Sequence, residues 1–122
     1  MAGKSYVVCS ASELEATDHV VVQVGARQLG VFEVAGEYFA LPSVCPHQNG
    51  PLCRGAVTGT VVADQSSDWR PYWIKEGEVV SCPWHSMEFD IRSGVCLANS
   101  RFRVPVYPAR AVDGQIVVEL PR

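Results

Sequence analysis

No stretch of this sequence approaches the roughly 18 consecutive apolar residues that a membrane-spanning helix requires, which excludes a span of that kind. The opening Met1-Ala2-Gly3-Lys4-Ser5-Tyr6 leads directly into an alternating pattern without the apolar stretch of a secretory leader, so a soluble, cytoplasmic chain with no membrane partner is expected. Cationic excess is also missing. Ten Lys and Arg against thirteen Asp and Glu leave a net charge of -3, and no basic stripe is present to follow a phosphate backbone, so nucleic acid is not an expected partner. Phosphate-binding glycine fingerprints are absent too, since Gly55-Ala56-Val57-Thr58-Gly59 has neither the spacing nor a following helix. Histidine is sparse, with three in 122 residues, whereas cysteine numbers five. An odd count fits a secreted disulfide framework poorly and metal ligation in a reducing compartment well.

The composition that remains, 48% apolar and 19% charged, is that of an ordinary globular chain, and 122 residues allow one core and one domain, 1–122. Strand patterns dominate both ends. Tyr6 to Cys9, His19 to Gly25, Arg27 to Val34 and Tyr38 to Leu41 alternate or run apolar, with a turn at Ala35-Gly36-Glu37. Near the end, Val106 to Val112 and Gln115 to Leu120 flank Asp113-Gly114, the pair suited to a two-residue turn whose central residues both need positive φ. One short helical turn is expected from Ser12-Glu13-Leu14-Glu15, which has the Ser-x-x-Glu form of a capping box. The expected class is all-β.

From about Ser43 to Arg101 the texture changes, with Pro46, Pro51, Pro71 and Pro83 and Gly50, Gly55, Gly59, Gly77 and Gly94 breaking the strand signal. A stretch this rich in breakers has little core of its own and needs something else to fix it. Two of its loops offer a means: Cys45-Pro46-His47 and Cys82-Pro83-Trp84-His85 each pair one potential thiolate with one imidazole. Cys45 and His47, two apart in extended chain, point to the same side, and Cys82 and His85 converge around a turn. Pro46 and Pro83 fix φ directly after each Cys and reduce the entropy lost on holding the ligands. Such a set suits a 2Fe-2S centre with Cys on one iron and His on the other. Two further readings use the same residues: a tetrahedral structural zinc site, although zinc modules draw like ligands from each knuckle, and small buried Cys beside surface His. His19 reads as a surface residue at a strand start, and Cys9, Cys53 and Cys96 as small buried apolar groups.

The stretches Cys45-Pro46-His47-Gln48-Asn49-Gly50-Pro51-Leu52 and Cys82 to Gly94, Cys-Pro-Trp-His-Ser-Met-Glu-Phe-Asp-Ile-Arg-Ser-Gly, resemble the two cluster loops of the bacterial Rieske ferredoxins, small carriers that feed ring-hydroxylating oxygenases. Val106 to Gly114 resembles that family's closing hairpin. The resemblance implies stacked antiparallel sheets: a base domain with a cluster-binding subdomain, about 43–101, inserted. It implies one 2Fe-2S cluster, with Cys45 and Cys82 on the buried iron and His47 and His85 on the iron nearer solvent. It further implies redox-protein partners, a reductase and a terminal oxygenase, and a monomeric carrier that is not itself an enzyme. A Rieske-like small subunit of a larger enzyme such as nitrite reductase is the alternative. A mononuclear-iron oxygenase domain has no room in 122 residues.

Where quinol-oxidising relatives bridge their loops with a disulfide, this sequence has Gly50 and Trp84, and where they place hydrogen-bonding Ser and Tyr it has Met87 and Phe89. Fewer hydrogen bonds to sulfur stabilise the added electron less, so the expected potential lies near the low end of the Rieske range, about -150 mV. Ser86 stands where most of the family has Gly. Positions 48 to 81, 34 residues, separate His47 from Cys82, roughly twice the family interval. The extra chain, about Gly59 to Gly77, carries Asp68-Trp69-Arg70-Pro71-Tyr72-Trp73, read either as a surface hairpin packing its own aromatics or as a docking lip beside the His ligands.

Overall fold

The computed structural model describes residues 3–46, 50–84 and 86–121. Nine strands run β1 (Lys4–Ser10), β2 (His19–Val24), β3 (Arg27–Val34), β4 (Glu37–Pro42), β5 (Ala56–Val62), β6 (Tyr72–Ser81), β7 (Glu88–Asp90), β8 (Tyr107–Val112) and β9 (Gln115–Leu120), with one helix, α1 (Ala11–Thr17), after β1. They form a six-stranded sheet in the order β1-β9-β8-β4-β3-β2 and a three-stranded sheet β5-β6-β7, and every pairing is antiparallel. The all-β expectation holds. No helix among the described residues is long and apolar enough to cross a membrane.

Strand periodicity explains how one sheet serves two cores. On β3 and β4, Leu29, Val31, Tyr38 and Ala40 face a core closed by Leu14, Ile116, Val118 and Leu120. The alternate residues Phe32, Val34, Phe39 and Leu41 face a second core with Leu52, Val80, Phe89, Ile91 and Val104. Each fully buried Phe, Leu or Ile contributes about 1.5–3 kcal/mol. The second core therefore joins the two sheets, so the breaker-rich middle segment is held by shared apolar packing as well as by anything its loops bind.

Two local expectations shift. The helix starts two residues earlier than the Ser12/Glu15 pattern suggests: Ser10 is the cap, accepting from the Glu13 N–H at 3.1 Å while Glu13 accepts from the Ser10 N–H at 3.3 Å. Starting at Ala11 puts Leu14, 1% exposed, into the base core, and that burial outweighs the competing cap. The Asp113-Gly114 turn is as expected, with φ of 49° and 79°.

In the middle segment β5 and β6 form a hairpin whose register breaks once, where Lys75 to Glu78 bulge opposite the single residue Gly59. Side chains pin the bulge: Lys75 Nζ lies 3.2 Å from Asp90 Oδ1, Trp73 Nε1 donates to Glu76, and Arg92 pairs with Glu78. Asp90, 9% exposed, also accepts from the Ser93 N–H and hydroxyl. Burial raises its carboxyl, but the hydrogen bonds from Ser93 and Lys75 outweigh that and hold it below the usual carboxylate range. A depressed native value gives stability that is present above the unfolded carboxylate range, about pH 4, and lost as pH falls through the lower native value. We expect Asp90→Asn to flatten the acid limb of a urea-stability profile measured against pH, with little further effect on its slope near neutrality.

Candidate metal centre

Both candidate ligand loops grow from the ends of strands that the second core anchors, and they close in the same way. The Cys45 N–H donates to the carbonyl of Gly50 at 2.8 Å, and the Cys82 N–H to the carbonyl of Met87 at 2.8 Å, so each Cys opens a turn sealed by the residue five further on. The Ser86 N–H adds a bond to the Cys82 carbonyl at 2.8 Å. Cys45 and Cys82 are 2% and 1% exposed and belong to one apolar cluster with Leu52 and Phe89. The loops meet at Gly50: a Cβ added there would lie 3.1 Å from Cys82 Sγ and 3.0 Å from the Trp84 ring. Two sulfurs in a dry setting, presented by loops in contact, suit a group that needs thiolates shielded from water. His47 and His85, the other two expected ligands, lie outside the described residues, as do Gln48 and Asn49.

Gly50 and Trp84, the positions that the resemblance matches to a disulfide in quinol-oxidising proteins, touch one another. The indole is 56% exposed and covers the seam between the loops, replacing a covalent link with apolar contact. Ser86 adopts φ of +55°, the left-handed conformation that a Gly takes without strain. The hydroxyl residue thus carries a backbone cost of about 1–2 kcal/mol. Part of the gain on replacement goes to the greater freedom of the unfolded Gly chain, so Ser86→Gly is expected to raise stability by about 0.5–1 kcal/mol in urea denaturation.

The remaining cysteines are buried thiols. Cys53 is fixed on every side within the 3-10 turn Leu52–Arg54: its N–H donates to Ser43 Oγ at 3.1 Å and its thiol to the Leu41 carbonyl at 3.5 Å. Burial pushes the thiol up to about 12, so it stays protonated and is unsuited to metal. Among the described residues no group of three His, Cys, Asp or Glu side chains gathers that could hold an ion, so neither Cys53 nor Cys96 completes a rival set there.

His19 is more than a surface residue. Its ring lies flat on Phe32, centroids 5.1 Å apart and planes at 5°, with Nε2 2.9 Å from the Cys53 carbonyl oxygen and Nδ1 2.6 Å from Asp18 Oδ1. Its sequence signal was its place on the Phe32-facing side of β2, two residues before Val21, but the partner in the 3-10 turn becomes visible only in the fold.

The insertion is a hairpin. Trp73 packs over Gly59, where a Cβ would come within 2.8 Å of the indole. Val62 opposite Tyr72 and Ala56 opposite Ser81 place the aromatics at the far end from Cys82, six residues of β5 away, about 20 Å of straight strand. That geometry favours packing over a lip beside the ligands.

The architecture and the paired loops define a small β protein built to hold a metal centre in two closed turns. The chain belongs to the Rieske 2Fe-2S domain family, whose model matches residues 4–108, and as such it carries one 2Fe-2S cluster. It is 32% identical over 98 residues to the ferredoxin subunit of anthranilate 1,2-dioxygenase from Burkholderia cepacia, covering 79% of this chain and 73% of that one. It is 28% identical over 104 residues to an NAD(P)H nitrite reductase of Emericella nidulans, covering 82% of this chain but spanning only 8% of that protein. Among solved structures, the ferredoxin of Sphingomonas yanoikuyae B1 shares the fold with a TM-score of 0.67 at 22% identity, over 97% of this chain and 100% of the other.

Proposed function

We propose that this chain is a free-standing electron carrier that passes single electrons from a reductase to a terminal oxygenase, without catalysing a reaction itself. In this reading Cys45 and Cys82 hold the inner iron, His47 and His85 hold the outer one, and residues from about 43 to 101 form the cluster-binding subdomain on a base of β1–β4, β8 and β9. The observation that carries the reading is the pair of matching closed turns presenting two buried sulfurs at one contact point. The cluster, when bound, supplies reversible one-electron exchange. The protein's part is to keep the Cys sulfurs away from water, hold the two loops together through Gly50 and Trp84, and remain rigid so that little reorganisation accompanies each transfer. The likeness to dioxygenase ferredoxin subunits along most of their length supports an oxygenase as the acceptor.

Electron paramagnetic resonance of the dithionite-reduced protein tests the ligand set: a mixed Cys/His centre gives a lower mean g value than an all-Cys cluster, and a silent, colourless sample ends the reading. The nitrite reductase likeness motivates one other acceptor, an enzyme of which this chain is a small subunit. Co-purification separates them, since a carrier runs alone and a subunit runs with a larger partner. Because the aromatic end of the hairpin lies away from Cys82, replacing Trp69 and Trp73 by Ala is expected to leave the rate of electron delivery to an oxygenase within about twofold, as expected of positions outside an interface centre.

A further inference from the structure

We propose that His19 is a positioning residue for the first loop, acting as a hydrogen-bonded clamp between β2 and the 3-10 turn that ends that loop. Cys53 is tied to the base at its amide by Ser43, at its thiol by Leu41 and at its side by Gly30, whose Cβ position would fall 2.5 Å from Cys53 Sγ. Only its carbonyl remains for β2 to hold, and His19 Nε2 reaches it at 2.9 Å. The other ring nitrogen faces Asp18 Oδ1 at 2.6 Å. A peptide carbonyl and a carboxylate both accept hydrogen bonds and cannot donate. The Cys53 carbonyl therefore needs a donor at Nε2, while Asp18 faces the other nitrogen. Stacking on Phe32 holds the ring in the plane that makes both contacts.

The charged neighbours are mostly acidic. Glu13 of α1 lines the same cleft as His19, Asp18 ends α1, and Glu33 follows Phe32 on β3. Arg54, after Cys53, is the opposing charge on the turn. Asp18 is 67% exposed, so its attraction alone contributes little, and its role is to occupy Nδ1 and direct the Nε2 proton to Cys53. The seating of the loop goes beyond the electron-carrier reading. Its bearing on redox behaviour rests on that reading, and the readouts below do not require iron.

Amide hydrogen exchange and nitrogen-15 spectra of the His19 ring test the clamp in the full chain. In the parent protein Nε2 should report as a protonated, hydrogen-bonded nitrogen. His19→Phe keeps the stack and removes the donors, and exchange at the Cys45 and Leu52 amides, both bonded to the Gly50 carbonyl, should quicken about fivefold, the equivalent of one net hydrogen bond. His19→Gln, which can still donate to Cys53, should restore most of that protection. Asp18→Asn tolerates the left-handed φ of position 18 and can donate to Nδ1, so it should keep loop protection. Unchanged exchange in His19→Phe, no difference between the Phe and Gln variants, or a parent ring with Nε2 bare would each overturn the proposal.

Discussion

Cys82→Ala, and separately Cys45→Ala, should yield a colourless protein whose iron and acid-labile sulfide fall to background, while Cys96→Ala keeps both. Each loop presents a single sulfur, so if Cys45 and Cys82 hold the inner iron as proposed, alanine leaves it with one protein thiolate. Loss of a supporting contact around a metal ligand typically costs 10- to 100-fold in affinity, and loss of the ligand itself should exceed that, more than about 100-fold. No neighbour compensates. Cys53 is held as a neutral thiol bonded to the Leu41 carbonyl, and among the described residues no third ligand-type side chain stands with the cysteines. Reconstitution with iron and sulfide, followed by visible spectroscopy and metal analysis, is the check. Stoichiometric iron in Cys82→Ala would remove that residue from the ligand set. Cys96 shares the same apolar cluster and serves as the control for loss of a buried sulfur without loss of a ligand.

Gly55→Ala should destabilise the fold by about 3 kcal/mol or more and weaken cluster retention with it. Gly55 has φ of -78° and ψ of 179°, a conformation any residue adopts, so the cause is space alone. A Cβ there would sit 1.6 Å from the Ser81 carbonyl oxygen and 3.2 Å from the Pro83 ring. The obstacle is backbone rather than the tip of a flexible side chain, and Ser81 is the residue directly before Cys82. The chain leaving the first loop crosses here against the stem of the second, so relieving the clash must part the stems of both loops. Urea denaturation of the apo protein reads the stability loss, and the half-life of the cluster under chelator reads the coupling. A variant within 1 kcal/mol of the parent, by the same measurement, would show that the two stems can slide apart at low cost.

Both expectations depend on how loops meet, which was legible in the sequence only in part. The proposed ligand residues stood out because Cys-Pro-His and Cys-Pro-Trp-His are short, chemically specific and local. The Asp113-Gly114 turn was legible for the same reason, since positive φ at two successive residues is a local demand. Less legible was the capping residue of α1. Two Ser-x-x-Glu frames overlap there, Ser10 to Glu13 and Ser12 to Glu15, and only burial of Leu14 under the base sheet decides between them. The breaker-rich segment appeared short of core because its apolar residues, Val79, Val80, Phe89 and Ile91, are few and scattered. Val80, Phe89 and Ile91 are fully buried because the even-numbered face of β3 supplies the other half of that core.

Local chemistry in the sequence therefore determined the all-β class, the turn positions and the four expected ligands, because alternation, turn residues and metal-ligand types act over a few neighbouring positions. Tertiary structure alone decided that Gly50 and Trp84 close the seam between the loops, that Gly55 lies against Ser81, and that His19 reaches Cys53 across 34 positions of chain. Those contacts join residues far apart in sequence, and they arise only when two sheets bury a common apolar core and bring their edges together.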